Sequence, residues 1–249
     1  MSTAYSYDNL SRLLSVVHQT SKLMGGANYS YDAAGNRTSK TEFVQAGGPN
    51  PAQVVSNYTY DPIYQLTQAV VNGTTAETYS YDQVGNRLSS LGVSPYLYNN
   101  SNELTTKPGA TFNYDNDGNT ASKTDGTGTT GYTSDFENRL TSVALPGGGN
   151  VSFKYDPFGR RIEKVSSVGT TIFAYDGDNS VDELNASGSS VARYTQGLGI
   201  DEPLAMYRGG AAYYYHADGL GSIEALTDSK AHVAAGYLYD SFGNLTAST

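Results

Sequence analysis

Tyr79-Ser80-Tyr81-Asp82-Gln83-Val84-Gly85-Asn86-Arg87-Leu88 is the phrase that decides the fold. Relatives of it start at Tyr5, Tyr29, Tyr58, Tyr96, Phe112, Tyr132 and Phe153. A weaker copy lies around Tyr175, and a strong one runs from Tyr237 to Leu245. A unit that recurs in this way is one supersecondary module of a repeat architecture. Tyr-x-Tyr sets two rings on one face of a strand, and Tyr, Thr and Val favour pleated surfaces. In Asp32-Ala33-Ala34-Gly35, Asp accepts hydrogen bonds from the turn's own backbone, and Gly tolerates positive φ. That chemistry predicts a hairpin built on a type I turn followed by a Gly bulge. The next strand starts at Asn36-Arg37.

The copies come in two lengths. A long form, at Asp32, Asp82, Asp115 and Asp156, has Leu or its substitute six residues after Asp; only Leu88 keeps the Leu. A short form, Asp8 to Leu13, Asp61 to Leu66, Asn99 to Leu104 and Asp135 to Leu140, has it five residues after. A one-residue slip turns every later side chain to the other face unless a bulge absorbs it. Long-form hairpins are therefore expected to carry a bulge that short-form hairpins lack. Return turns are expected at Gly47-Gly48-Pro49-Asn50, Asn72-Gly73, Lys107-Pro108-Gly109-Ala110, Gly126-Thr127-Gly128, Pro146-Gly147-Gly148-Gly149 and Asn185-Ala186-Ser187-Gly188. No stretch sustains the apolar spacing and caps of a helix. A small polar residue separates the rings in Tyr29-Ser30-Tyr31, Tyr58-Thr59-Tyr60 and Phe112-Asn113-Tyr114, which suits a long coiling sheet with two amphipathic faces better than a tight sandwich. The fold class read from these patterns is all-β, antiparallel hairpin repeats in sequence order.

Composition narrows the function. The 249 residues include no Cys, so disulfide scaffolds and Cys-ligated metals are excluded. The net charge of -9 disfavours nucleic-acid partners, whose phosphates need clustered Lys and Arg. No apolar run approaches membrane-spanning length. Met1-Ser2-Thr3-Ala4 lacks the basic and apolar regions of a signal peptide. With 22 Tyr, the chain is too aromatic for the disorder that its modest apolar fraction of 38% raises as an alternative.

The phrase resembles the YD repeats of bacterial Rhs proteins, and the resemblance covers nearly the whole chain. Tyr213-Tyr214-Tyr215-His216-Ala217-Asp218-Gly219-Leu220-Gly221-Ser222 is similar to that family's "YYHxDxLGS" segment. Ile223 to Asp228 is similar to its "xxALTD" continuation, Tyr237 to Asn244 to its "YxYDxFGN" phrase, and Gln196 to Ala205 to its "GLGxxxPLA" segment. The resemblance implies a β-strand spiral that builds a hollow shell, as in Rhs proteins, the toxin-complex cocoon component and the teneurins. In the bacterial members the shell encloses a C-terminal toxin. The Rhs-associated core and toxin are expected after a segment like Tyr237 to Asn244. The chain therefore reads as the last part of a shell wall, truncated before that core. Residues 1–249 are expected to form one YD-repeat fragment, with regular YD repeats over 1–180 and Rhs-type C-terminal repeats over 190–249.

Few residues invite chemistry. His216 and Asp218 lie close together, as an acid-base pair does. Leu220-Gly221-Ser222 is not a nucleophile elbow, however. A polar turn packed beside Tyr213 and Tyr215 is the favoured reading. Asp115-Asn116-Asp117-Gly118-Asn119 and Asp176-Gly177-Asp178-Asn179-Ser180 place oxygens at alternate positions, as calcium prefers, but both fall where the turn belongs. Arg12, Arg37, Arg87, Arg139 and Arg161 recur at matching repeat positions and are expected to pair with carboxylates of neighbouring hairpins. Tyr rows either pack across strands or stack on sugar rings.

The expected function is a non-enzymatic encapsulation module with no catalytic, cofactor or metal residues. Its expected partners are the remainder of an Rhs shell and its C-terminal toxin, and it is expected to be secreted or delivered to a cell surface. The alternative is a carbohydrate- or cell-surface-binding adhesion module, which a glycan array separates. The end segments carry few edge guards: Ala4 to Leu10 has only Asp8, and Ala234 to Leu245 only Asp240. Self-association through the edge strands is therefore expected.

Overall fold

The computed structural model describes residues 2–20, 22–44 and 51–248. Among them there is no helix. Within each sheet the strands pair antiparallel in sequence order, as a sheet of eight strands, β1 to β8, and a sheet of sixteen, β9 to β24. The all-β hairpin-repeat reading stands. The return turn expected at 47–50 lies outside the described residues.

The chain forms two compact units. One joins Met1–Tyr79 to Glu202–Thr249. Its N-terminal part holds β1 (Ser2–Tyr7), β2 (Leu13–Gln19), β3 (Leu23–Tyr31), β4 (Arg37–Val44), β5 (Ala52–Tyr60), β6 (Leu66–Val71) and most of β7 (Thr74–Tyr81). The other unit, Ser80–Asp201, holds β8 to β19, between Arg87 and Gln196. The first unit is completed by β20 (Pro203–Arg208), β21 (Ala211–Ala217), β22 (Ile223–Asp228), β23 (Val233–Tyr239) and β24 (Leu245–Ser248). Its core cluster is Val16, Ala27 and Tyr29, with Leu13 and Tyr31 packed against it.

Each repeat is built outward from the turn Asp. In the long form the Asp82 N–H donates to the Asn86 carbonyl, and the Gly85 N–H donates to the Asp82 carbonyl. Asp82 Oδ1 accepts the N–H groups of Val84 and Asn86, and Oδ2 accepts Asn86 Nδ2 at 2.9 Å. Gly85 has φ 94°, the left-handed value that closes such a turn. The short form is the same object. Asp8 N–H donates to the Arg12 carbonyl and Ser11 N–H to the Asp8 carbonyl, with Ser11 at φ 61° in the Gly position. Asp8 Oδ2 accepts Arg12 Nε at 2.7 Å where Asp82 accepts an Asn amide.

The expected contrast between bulged and unbulged hairpins is therefore wrong. Tyr7 faces Leu13 and Ser6 faces Ser15 in the short form; Tyr31 faces Arg37 and Ser30 faces Ser39 in the long form. Both skip one residue at the same place, so both carry the bulge. The two forms differ in the left-handed residue three after the Asp or Asn: Gly35, Gly85, Gly118 and Gly159 in the long form, Ser11, Tyr64, Asn102 and Asn138 in the short form.

The bulge leaves a carbonyl for the next repeat to use. Tyr31 Oη donates to the Leu13 carbonyl, Tyr60 to Arg37, Tyr98 to Arg87 and Tyr114 to Leu104. Tyr155 does the same to Leu140, Tyr175 to Arg161 and Tyr239 to Ile223. Each time, the second Tyr of one repeat reaches the residue five after the Asp or Asn of the previous repeat. Register between repeats is equally constant. Ser15 faces Asn28, Ser39 faces Asn57, Gln68 faces Thr78, Ser142 faces Ser152 and Ala225 faces Gly236. In each, the residue seven after one Asp meets the residue four before the next, however long the loop between them.

The recurrent arginines do not behave as expected. Arg12 and Arg139 bind the Asp of their own turn at 2.7 and 2.8 Å, not that of a neighbour. Arg37, Arg87 and Arg161 stand one residue later and lie over Tyr29, Tyr96 and Phe153 at 4.5, 5.9 and 5.3 Å. They act through cation–π contact and coverage of rings. The first of the suspected calcium loops is spent on its turn: Asp115 accepts the N–H groups of Asp117 and Asn119 and the Asn119 amide.

Asn102 and Asn138 occupy the same left-handed turn position as Gly85, at φ 61° and 60°. Gly85→Val is expected to cost about 1–2 kcal/mol. Gly85→Asn is expected to cost clearly less in the same urea melt, and equal losses would contradict the turn assignment.

Candidate functional site

The hairpin turn consumes the N–H groups two, three and four residues after Asp. It leaves over the N–H of the first residue after Asp. In the first unit two turns from the C-terminal segment use that N–H to dock on N-terminal strands. Gly219 N–H donates to Tyr29 Oη at 2.8 Å. A Cβ on Gly219 would lie 2.6 Å from Leu13 Cδ2 and 3.1 Å from Tyr29 Oη, so a larger residue would have to displace those side chains. Ser241 N–H donates to both carboxylate oxygens of Glu77, at 3.1 and 3.2 Å. Phe242 then meets Tyr79 edge-on, with ring centroids 4.7 Å apart.

Between these docked turns and the sheet lies a cluster of charges. Lys40, on β4, reaches Asp218 Oδ2 at 2.9 Å, Glu42 Oε1 at 2.9 Å and Glu224 Oε1 at 2.8 Å. Lys40 and Glu42 are two apart on one strand and so share a face. Asp218 opens a turn and Glu224 comes from β22. Burial works against the Lys40 charge, but the Glu224, Glu42 and Asp218 carboxylates outweigh it and hold its pKa above the ordinary value. Burial pushes the Glu224 carboxyl up to about 8, against the pull of Lys40; a hydrogen bond with Glu42 adds to the rise. Burial also pushes the Tyr29 hydroxyl up to about 12.

A pair of imidazoles forms a second contact. His18 and His216 meet edge-on at 4.7 Å between ring centroids. His18 Nε2 lies 3.1 Å from the Ala217 carbonyl, an acceptor only, so Nε2 carries the proton. Nδ1 then accepts the Thr3 hydroxyl at 3.0 Å. His216 Nε2 pairs with Thr227 Oγ1 at 2.9 Å. Burial lowers both His pKa values, that of His216 to about 4, with the nearby His18 adding to its fall.

The expected placement of His216 thus needs correction. Strand alternation sends His216 to the face opposite Tyr213 and Tyr215, where it is buried against His18 rather than lining a polar turn. Asp218 is tied to Lys40, not to His216. Sequence reading singled out neither Lys40, Glu42, Glu77 nor His18. The one local signal was Lys40-x-Glu42, a charged pair on one face of a strand. A cavity of about 610 Å³ adjoins the cluster, lined in part by Arg37, Tyr58, Tyr60, Glu77 and Tyr239. Among the described residues, no group of His, Asp and Glu is arranged to hold a metal ion.

Docked turns, tyrosine locks and bulged hairpins are the features of a wall made of repeats, and sequence comparison agrees. The family model for the teneurin YD-shell matches residues 50–249. The chain belongs to the YD-shell family. It is 33% identical over 247 residues to the tRNA3(Ser)-specific nuclease WapA of Bacillus spizizenii. It is equally similar to the tRNA nuclease WapA of Bacillus subtilis. Each match covers 96% of this chain but 8% of the relative, so this YD-shell chain spans a small part of those proteins. Among solved structures, it is similar in fold to the Photorhabdus luminescens Tc holotoxin pore bearing TccC3-D651A, with TM-score 0.75 and 18% identity. The TcdB2-TccC3-Cdc42 structure matches with the same two values. Both matches cover 99% of the YD-shell chain and 15% of the other.

Proposed function

We propose that this chain is a wall segment of a shell that encloses a polypeptide toxin, and that it does no catalysis itself. The observation that carries the reading is the recurring tyrosine lock from one repeat to the one before, made by seven tyrosines, within a chain of the YD-shell family. Within each unit it ties successive repeats to one another. The nuclease named for the WapA proteins is assigned to their remaining length. The toxin and the rest of the shell are its partners, and delivery outside the producing cell follows from that role. The division into 1–180 and 190–249 is kept as a reading of the repeat phrases. The adhesion alternative fits less well. Ring faces such as those of Tyr29, Tyr31 and Tyr155 are covered by Arg side chains, and the lock hydroxyls are bound to carbonyls.

The test is a chimera in which residues 1–249 replace the matching segment of Bacillus subtilis WapA. Its C-terminal part should stay protease-resistant, and lose that resistance when the graft carries Lys40→Met. The purified chain alone should not cleave tRNA. Resistance that survives deletion of the whole segment, or tRNA cleavage by the chain abolished by His216→Ala, would overturn the reading.

A further inference from the structure

The cavity of about 610 Å³ in the first unit contains a cation that no group of the chain answers. Tyr58, Tyr60 and Leu66 wall it on the side of the N-terminal strands, and Leu238 and Tyr239 on the side of the C-terminal hairpins. Tyr58 and Tyr60 stand two apart on β5 and share a face. Tyr60 faces Leu66, and its hydroxyl donates to the Arg37 carbonyl at 2.8 Å, which fixes the ring beside Arg37. The volume is that of a small-molecule pocket.

Arg37 is the unanswered group. Arg12, Arg139 and Arg160 each bind the Asp of their own turn. The Arg37 guanidinium lies over the Tyr29 ring at 4.5 Å, and a ring face offers its N–H groups no lone pair. Among the described residues no carboxylate pairs with it, and its Nε is buried without a hydrogen-bond partner. Arg161 holds the same repeat position but is exposed, so water meets its donors; Arg37 is half-buried against the cavity. The carboxylates that also line the cavity are already supplied with donors. Glu42 and Asp218 hold Lys40, and the Asp218 turn takes the N–H groups of Leu220 and Ser222. Glu77 accepts the Tyr79 hydroxyl and the Ser241 N–H. Asp240 accepts the N–H groups of Phe242 and Asn244. What the cavity lacks is an acceptor, not a donor.

We propose that this cavity binds a small aromatic monocarboxylate, its carboxylate held by Arg37 and its ring packed against Tyr58, Tyr60 and Leu66. A carboxylate supplies both the missing charge and paired acceptors that match the guanidinium fork. The aromatic and aliphatic walls take the body of the ligand. The lining carboxylates repel a second negative charge, so a monoanion is favoured over a phosphate monoester. The site does not rest on the encapsulation reading.

The test is a ligand-observed NMR titration of the purified chain at neutral pH. Phenylacetate should bind, and its neutral isostere phenylacetamide should bind about tenfold to hundredfold more weakly. Phenyl phosphate and phenethylamine should both bind more weakly than phenylacetate. Arg37→Gln should lower phenylacetate to the level of the amide and leave the amide unchanged, which also shows that the cavity is intact. Leu66→Trp, which fills the space beside Tyr60 and keeps Arg37, should weaken both ligands. Circular dichroism confirms that each variant is folded; if Arg37→Gln is not, the acid-to-amide ratio of the parent and the loss in Leu66→Trp decide. No binding of phenylacetate, equal affinity for acid and amide, or unchanged binding of the acid by folded Arg37→Gln would each overturn the site. Tighter binding of phenethylamine would overturn it as well, because the carboxylates rather than Arg37 would then set the selectivity.

Discussion

Lys40→Met is expected to destabilise the first unit by about 3–5 kcal/mol. Lys40 is the one cation among Asp218, Glu42 and Glu224, and its side chain is 11% exposed. Removing it leaves carboxylates facing each other where water cannot screen them. The contacts also tie sequence positions far apart: Lys40 lies 178 residues from Asp218. The loss should therefore appear as release of the C-terminal hairpins as well as a lower urea midpoint. Proteolysis should cut first between Glu202 and Thr249. Lys40→Met/Asp218→Asn should recover part of the loss, because removing both partners of a buried pair costs less than removing one. A Lys40→Met protein that melts with the parent would show that the cluster is solvated.

The fold was legible because its determinants are local. Asp82 holds its turn through its own two carboxylate oxygens, which bind Val84 and Asn86, and Tyr79-x-Tyr81 fixes the face of the strand before it. The error about bulges came from aligning the copies on their Leu rather than on Asp. The turn counts from Asp, so Arg12 and Asn86 are equivalent even though one precedes Leu directly and the other does not. Both offer an N–H to Asp Oδ2, which is why either residue is accepted there. The tyrosine lock was harder to see. Tyr-x-Tyr reads as a strand with two rings, and nothing local shows that one hydroxyl caps a carbonyl left open by the previous bulge. The charge cluster was not legible at all. Lys40 and Glu42 look like ordinary strand polar residues until the Asp218 turn and Glu224 are brought over them. That contact depends on Gly219 and Tyr29, which sit in different repeats.

The same unit is expected to be most stable between about pH 4.5 and 6.5, and less stable on either side. Glu224 is the group that sets the alkaline limb. Its folded pKa, about 8, lies above its ordinary value of 4.5. The folded state therefore holds a proton that the unfolded state has lost, and this contribution is present below pH 4.5 and disappears as pH rises through 8. His216 sets the acid limb. Its folded pKa, about 4, lies below 6.5. The unfolded state then binds the extra proton, so this contribution is present above pH 6.5 and is lost as pH falls toward 4. His18 moves in the same direction. Between 4.5 and 6.5 the two slopes oppose each other, which makes the plateau. Each group contributes at most about 1.4 kcal/mol per pH unit on its own limb. The turn carboxylate of Asp32 steepens the acid limb further: a side-chain hydrogen bond from Asn36 leads the effects that hold it below the ordinary value. Glu224→Gln keeps an acceptor for Lys40 and a donor for Glu42 without a titrating proton, so it should flatten the alkaline limb and, with no opposing slope, extend the acid limb up to about pH 6.5. His216→Gln should do the reverse above pH 4. Urea melts from pH 4 to 9 separate these outcomes. An alkaline limb that persists in Glu224→Gln would mean that the proton between Glu224 and Glu42 does not control the closure of this unit.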